Sequence, residues 1–87
     1  MKYLENQIRK SLELIKEYNP DEPFHLYLKT QFKLNKNWGS KDRKNYRRIC
    51  YFYWRNYAFL KSISTDDQIS WILNYIDNPI EIDNTTH

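Results

Sequence analysis

A single glycine, Gly39, serves the whole chain of 87 residues, and only three prolines accompany it. Sheets joined by tight turns draw on both residue types repeatedly, so a chain this poor in them is confined to a few helices with short joints. Its length makes one domain. A domain of that size buries only roughly 60–65% of the surface its unfolded chain exposes, which leaves a thin core. Aromatic residues, 17% of the chain, offset that thinness because each ring removes a large area from water. The expected fold class is all-α, a small helical bundle of about four helices.

Periodicity places those helices. Leu4, Ile8, Leu12 and Ile15 recur at helical spacing and predict a first helix over about residues 2–18. Asn19-Pro20-Asp21-Glu22-Pro23 ends it, since two prolines three apart cannot sit inside a helix. A second helix is expected over about 23–36, with Pro23 in its first turn, Asp21 or Glu22 at its positive end, and Phe24, Leu28 and Phe32 facing the core. Asn37-Trp38-Gly39-Ser40 forms the next joint. There Gly39 suits a positive φ, and Ser40 suits the N-cap of a third helix over about 41–61. Thr65 with Gln68 reads as a capping box opening a fourth helix, whose apolar stripe is Ile69, Ile72, Leu73 and Ile76. Asn78-Pro79 ends it, and residues 80–87 are expected to fray.

Charge is distributed unevenly. The chain carries a net +3, yet residues 29–61 hold ten basic groups and one acid, Asp42, while residues 62–87 hold five acids and no Lys or Arg. On a helical projection Tyr46, Ile49, Cys50, Tyr53, Tyr57 and Leu60 fall within about 100° of one another and form a core-facing stripe. Lys41, Lys44, Arg48 and Arg55 fall within about 60° of one another, roughly opposite. Any one of these cations is ordinary on a surface helix. Together, with a single acid among them, they depart from the mixed-sign pattern that favours i,i+4 pairing. The inference is a polyanionic partner, with Lys36, Lys41, Lys44, Arg47, Arg48 and Arg55 contacting phosphates.

Tyr51, Phe52, Trp54 and Phe59 project beside the basic side or on a third flank. Exposed rings could stack on bases. Packing is the favoured expectation, because a helix apolar nearly all round is usually buried. Arg43 is expected to cap carbonyls or form a structural ion pair, and Trp38 to close over the core.

The segment Asn35-Lys36-Asn37-Trp38-Gly39-Ser40-Lys41-Asp42-Arg43, with the helix before it and Tyr46 to Trp54 after it, resembles the N-terminal domain of the Sun/Fmu (RsmB-like) ribosomal RNA cytosine-5 methyltransferases. In that family a helix ends in a basic, often Trp-Gly-bearing turn, and a Gly-Ser-Arg-Asp-Arg-like run opens a long helix. Lys41 stands here for the first arginine and keeps its charge. The likeness covers roughly residues 21–78. It implies a NusB-like helical fold that holds RNA for a separate catalytic domain. In the family, that domain binds S-adenosylmethionine and uses a cysteine nucleophile in a Rossmann-like fold. The family's helical domain is usually longer, so the chain is expected to be an incomplete version of the fold, from a fragment or a shortened relative, with part of its core surface uncovered.

No catalytic, cofactor-binding or metal site is expected within this chain. A Rossmann-like fold needs a glycine-rich cofactor loop, which one glycine cannot supply. Cys50 lies on the apolar stripe and reads as a small buried hydrophobe. His25 and His87 with one cysteine give no zinc spacing, and Asp66-Asp67 suit the first turn of a helix. No stretch approaches the ~20 apolar residues that span a bilayer, and one cysteine cannot form an internal disulfide, so no membrane partner and a cytoplasmic location are expected. The expected function is an RNA-binding accessory domain of an S-adenosylmethionine-dependent rRNA methyltransferase, with RNA, ribosomal by the resemblance, and the catalytic domain as partners. The alternative is a protein-interaction module in which Tyr51, Trp54 and Phe59 dock a catalytic domain or a second copy. A helix-turn-helix DNA binder ranks third, because the third helix is long and its second half too apolar for a groove.

Overall fold

Leu4, Ile8, Leu14 and Ile15 put one apolar face on the first helix, α1 (Lys2–Lys16), and that face is buried against the rest of the molecule. The computed structural model describes residues 2–77, with five helices and no strand among them. The frayed segment expected over 80–87, with Asn78-Pro79 before it, lies outside the described residues.

Pro23 ends the loop after α1 as the N-cap of α2 (Phe24–Leu34), and its carbonyl accepts from Leu26 N–H and Tyr27 N–H. Tyr27, Leu28 and Phe32 are the buried residues of α2, with Phe24 half-buried. Tyr27 Oη also donates to the carbonyl of Leu14 at 2.6 Å, which satisfies an α1 acceptor while the ring fills the core. The next helix, α3 (Ser40–Arg55), starts one residue earlier than the capping reading placed it: Gly39 is the N-cap and Ser40 the first helical residue. Gly39 has φ −76°, ordinary extended backbone, and nothing stands within 4 Å of where a Cβ would be. The positive φ expected there is absent, and the turn closes through Trp38 N–H to Asn35 O at 3.0 Å instead.

The long helix expected over 41–61 is two. Asn56, with φ −115° and ψ 29°, separates α3 from a single turn, α4 (Tyr57–Leu60). Its side-chain Nδ2 donates to Phe52 O at 3.0 Å, the local competition with the ladder that makes Asn a poor interior residue. Helical direction survives the break, because Leu60 N–H still reaches Asn56 O at 2.9 Å. The last helix, α5 (Thr65–Asp77), is capped by Ser64 and not Thr65: Ser64 Oγ accepts from Asp67 N–H at 3.2 Å, and Gln68 Nε2 bonds back to Leu60 O at 2.7 Å.

The core has two parts that share α1. Its N-terminal half meets α5 through Leu4, Ile8, Ile69 and Ile72, with Ile49 of α3 among them. Its C-terminal half meets α2, α3 and α4 through Leu14, Ile15, Tyr27, Leu28, Phe32, Tyr46, Cys50, Tyr53 and Leu60. Helix α3 touches both, so one face of it is fixed inward along its length and the opposite face points away from both clusters.

Candidate nucleic-acid interface

Four residues of α3 that project inward, Tyr46, Ile49, Cys50 and Tyr53, are all buried. That fixes the rotation of the helix. Lys41, Lys44, Arg48 and Arg55 therefore stand on the outer face, within about 60° of one another around the axis. Lys41, Lys44 and Arg55 are exposed and Arg48 half-buried. At 1.5 Å per residue the ridge they form is about 21 Å long. Arg47 is exposed on the flank next to α2, its guanidinium 5.1 Å from the centre of the Phe32 ring. Lys36 is exposed in the turn that leads into α3.

The ridge makes no ion pair among the described residues, although Lys41 lies near enough to its neighbour Asp42 for their charges to interact. The two ion pairs among the described residues, Arg9 with Glu5 at 3.1 Å and Lys10 with Glu13 at 3.8 Å, both lie within α1. None of the six cations has a carboxylate within ion-pairing distance among the described residues. Asp42, the one acid of the basic stretch, is occupied elsewhere. Its carboxylate accepts from Tyr3 Oη, from Gln7 Nε2 at 2.9 Å and from the Gly39 N–H at 3.2 Å. The Tyr3 hydroxyl, followed by the Gly39 amide, holds its pKa below the ordinary value. The same bond holds the Tyr3 phenol above its own ordinary value.

Rings divide into two groups. Phe52 stacks on Tyr75 of α5 at 4.2 Å, and Trp54 packs among Tyr18, Phe24 and Tyr53, as the packing expectation requires. Trp54 Nε1 is buried without a hydrogen-bond partner among the described residues. It borders an open groove of about 690 Å³ between α1 and the α3–α4 end, also lined by Tyr18, Tyr53 and Tyr57. Tyr57, placed on the core stripe by projection, lines this groove and is 41% exposed. Tyr51 and Phe59 depart from the packing expectation, at 58% and 46% exposed. The guanidinium of Arg55 donates to Tyr51 Oη and sits 5.7 Å from the ring centre. Phe59 meets Trp71 of α5 edge to face at 5.1 Å, and Trp71 is itself 50% exposed. Sequence reasoning passed over Trp71. The available signal was a tryptophan lying off the Ile69, Ile72, Leu73, Ile76 stripe of an amphipathic helix.

Two other expectations hold in detail. Arg43 Nη1 donates to the Trp38 carbonyl at 3.0 Å, and Trp38 lies over Tyr46 at 4.4 Å and beside Phe32 at 6.0 Å, closing that end of the core. Cys50 is 1% exposed, and burial pushes its thiol up to about 12, which keeps it protonated at neutral pH. His25 is exposed, and His87 lies outside the described residues. Among the described residues no three His, Cys, Asp or Glu side chains converge as a metal site would need, and no helix is long and apolar enough to cross a membrane. Neither a known protein family, nor a curated protein, nor a solved structure matches this chain.

Proposed function

We propose that this chain is an RNA-binding accessory domain of an S-adenosylmethionine-dependent rRNA cytosine-5 methyltransferase of the cytoplasm, holding RNA by its phosphates for a separate catalytic domain. One observation carries the RNA reading: the outer face of α3 is a ridge of Lys41, Lys44, Arg48 and Arg55 with no carboxylate paired to it among the described residues. Aligned like charges without local partners raise the potential over that face and favour a polyanion. The methyltransferase reading rests on the resemblance of the Asn35 to Arg43 segment, and S-adenosylmethionine belongs to the catalytic domain.

The division of labour follows from the chemistry. Lysine and arginine contacts to phosphate fix the position and direction of a strand without reading its bases. Sequence choice and methyl transfer are left to the catalytic domain. Reversing Lys44 and Arg48 to Glu should weaken RNA binding about tenfold or more in a gel-shift titration, while the helical signal and melting temperature persist. Unchanged binding rejects the ridge as the site. Fused to a Sun/Fmu-type catalytic domain, the chain should lower KM for ribosomal RNA and leave kcat alone, the pattern of uniform binding. An unaltered KM rejects the accessory role.

The exposure of Tyr51 and Phe59 supports a second reading, a docking surface for a catalytic domain or a second copy. A dimer that persists at high salt in light scattering favours it.

A further inference from the structure

The cationic ridge does not end in water at Arg55. Tyr51 lies one turn before Arg55 and is tethered to it by a hydrogen bond and a ring contact. One turn beyond Arg55, past a break that keeps the helical direction, comes Phe59. Phe59 in turn leads sideways to Trp71 of α5, edge to face at 5.1 Å. These three rings are 58%, 46% and 50% exposed, whereas Phe52 and Trp54, close to Tyr51 in sequence, are half-buried against the core. Aromatic side chains left half in water on a domain with so thin a core lose the burial they could have supplied. The placement of Phe59 and Trp71 past the last cation of the ridge gives that pair a use if the ridge holds phosphates.

We propose that Phe59 and Trp71 form a base-stacking platform at the C-terminal end of the cationic ridge, so that the partner is a single strand with unpaired bases. The inference rests on the RNA reading of the ridge and specifies it. A strand laid along α3 puts its phosphates on Lys41, Lys44, Arg48 and Arg55. Past Arg55, bases turn onto the rings, with the exposed Lys61 beyond them over Tyr57. Arg55 stands between the two regions and can hold a phosphate while its guanidinium steadies the Tyr51 ring. Asp67 lies one turn before Trp71 on α5, which suits that end to neutral base faces and not to phosphates. A duplex keeps its bases stacked inside and gains only the ridge; a single strand gains both.

The test compares three probes on the intact chain: a short oligouridine, an abasic strand of equal length, and the corresponding duplex. The wild-type chain should bind oligouridine tightest and quench part of its tryptophan fluorescence on binding. Phe59→Ala with Trp71→Ala should weaken oligouridine binding roughly tenfold or more and leave the abasic strand unaffected, because only the stacking contribution is removed. Trp71→Phe, which keeps a ring, should retain most of the affinity and lose the quenching. Equal affinity of the double variant and the wild type for oligouridine overturns the platform while the ridge reading stands. Absence of binding to every probe, abasic strand included, overturns the ridge reading and the platform with it. A double variant that loses a salt-insensitive dimer but keeps oligouridine binding overturns the platform in favour of a second copy seated on these rings.

Discussion

Gln7 of α1 donates from Nε2 to Asp42 Oδ1 of α3 at 2.9 Å, and its own Oε1 accepts from Asn45 Nδ2 at 3.0 Å. Gln7 is only 5% exposed, so this amide ties the two central helices together from a nearly dry position. The contact also turns the only carboxylate of the basic stretch toward α1. Stability and function thus meet in one residue: Asp42 caps α3 through Gly39 and, because it faces Tyr3 and Gln7, forms no ion pair with the cations of the outer face.

That arrangement predicts how stability responds to pH. The folded-state pKa of Asp42 lies below its ordinary value of 3.8, chiefly through the Tyr3 hydroxyl and then the Gly39 amide. Its stabilisation is therefore fully present above that value and is lost as pH falls through the lower, folded-state value. Tyr3 mirrors it: raised above 10.0 by the same bond, it contributes fully below that value and is lost as pH rises through the higher one. Asp42→Asn should flatten the acid limb of a melting-temperature profile taken between about pH 2 and 5. An acid limb identical to wild type would show that the Asp42 contacts do not form in solution.

Cys50 should be silent toward thiol reagents in the folded chain. It is 1% exposed, with burial holding its thiol at about 12, so both access and ionisation oppose reaction. Labelling with a disulfide reagent at neutral pH should proceed only as fast as the chain opens, and should go to completion in denaturant. Rapid labelling under native conditions would mean that α3 is not packed as described.

Leu60 and Phe59 are neighbours with opposite fates, which gives a direct check on α4. Leu60 is 0% exposed within the cluster that includes Tyr53 and Cys50, whereas Phe59 is 46% exposed. Leu60→Ala should cost about 2–5 kcal/mol, lowering the melting temperature of a domain this size by about 10 °C or more. Phe59→Ala should cost about 1 kcal/mol or less, since little packing is lost. Comparable losses from the two would show that the turn after Asn56 is rotated from its described position.

The helices and the inward stripe of α3 were legible in sequence because both follow from spacing alone: Tyr46, Ile49, Cys50 and Tyr53 must share a face if the segment is helical. The outer set of Lys41, Lys44, Arg48 and Arg55 follows from the same rotation. What spacing could not supply was partnership. Nothing in the chain order sets Gln7 against Asp42, or Phe52 against Tyr75, because those contacts depend on how α1 and α5 cross α3. Trp71 was passed over and the exposure of Phe59 was left undecided for that reason; projection says which side of one helix a ring occupies, not whether a second helix covers it. Gly39 misled in another way. Its scarcity suggested a left-handed turn, yet the joint closes with ordinary dihedrals.

Salt dependence separates contacts on the ridge from nonspecific attraction to a mildly basic chain. Binding to single strands releases counterions, and the slope of log affinity against log salt is about −0.7 for each phosphate neutralised. Lys41, Lys44, Arg48 and Arg55 acting together give a slope of about −3, and Arg47 with Lys36 extend it to about −4. Neutralising Lys44 and Arg48 to Gln should bring the slope up by about 1.4, while the same two changes at Lys29 and Lys33 of α2 should barely move it, although net charge falls equally. Fluorescence anisotropy of a labelled oligouridine across a salt series measures both slopes. If the two pairs of substitutions shift the slope by the same amount, net charge alone draws the strand in, and the face of α3 holds no defined set of phosphates.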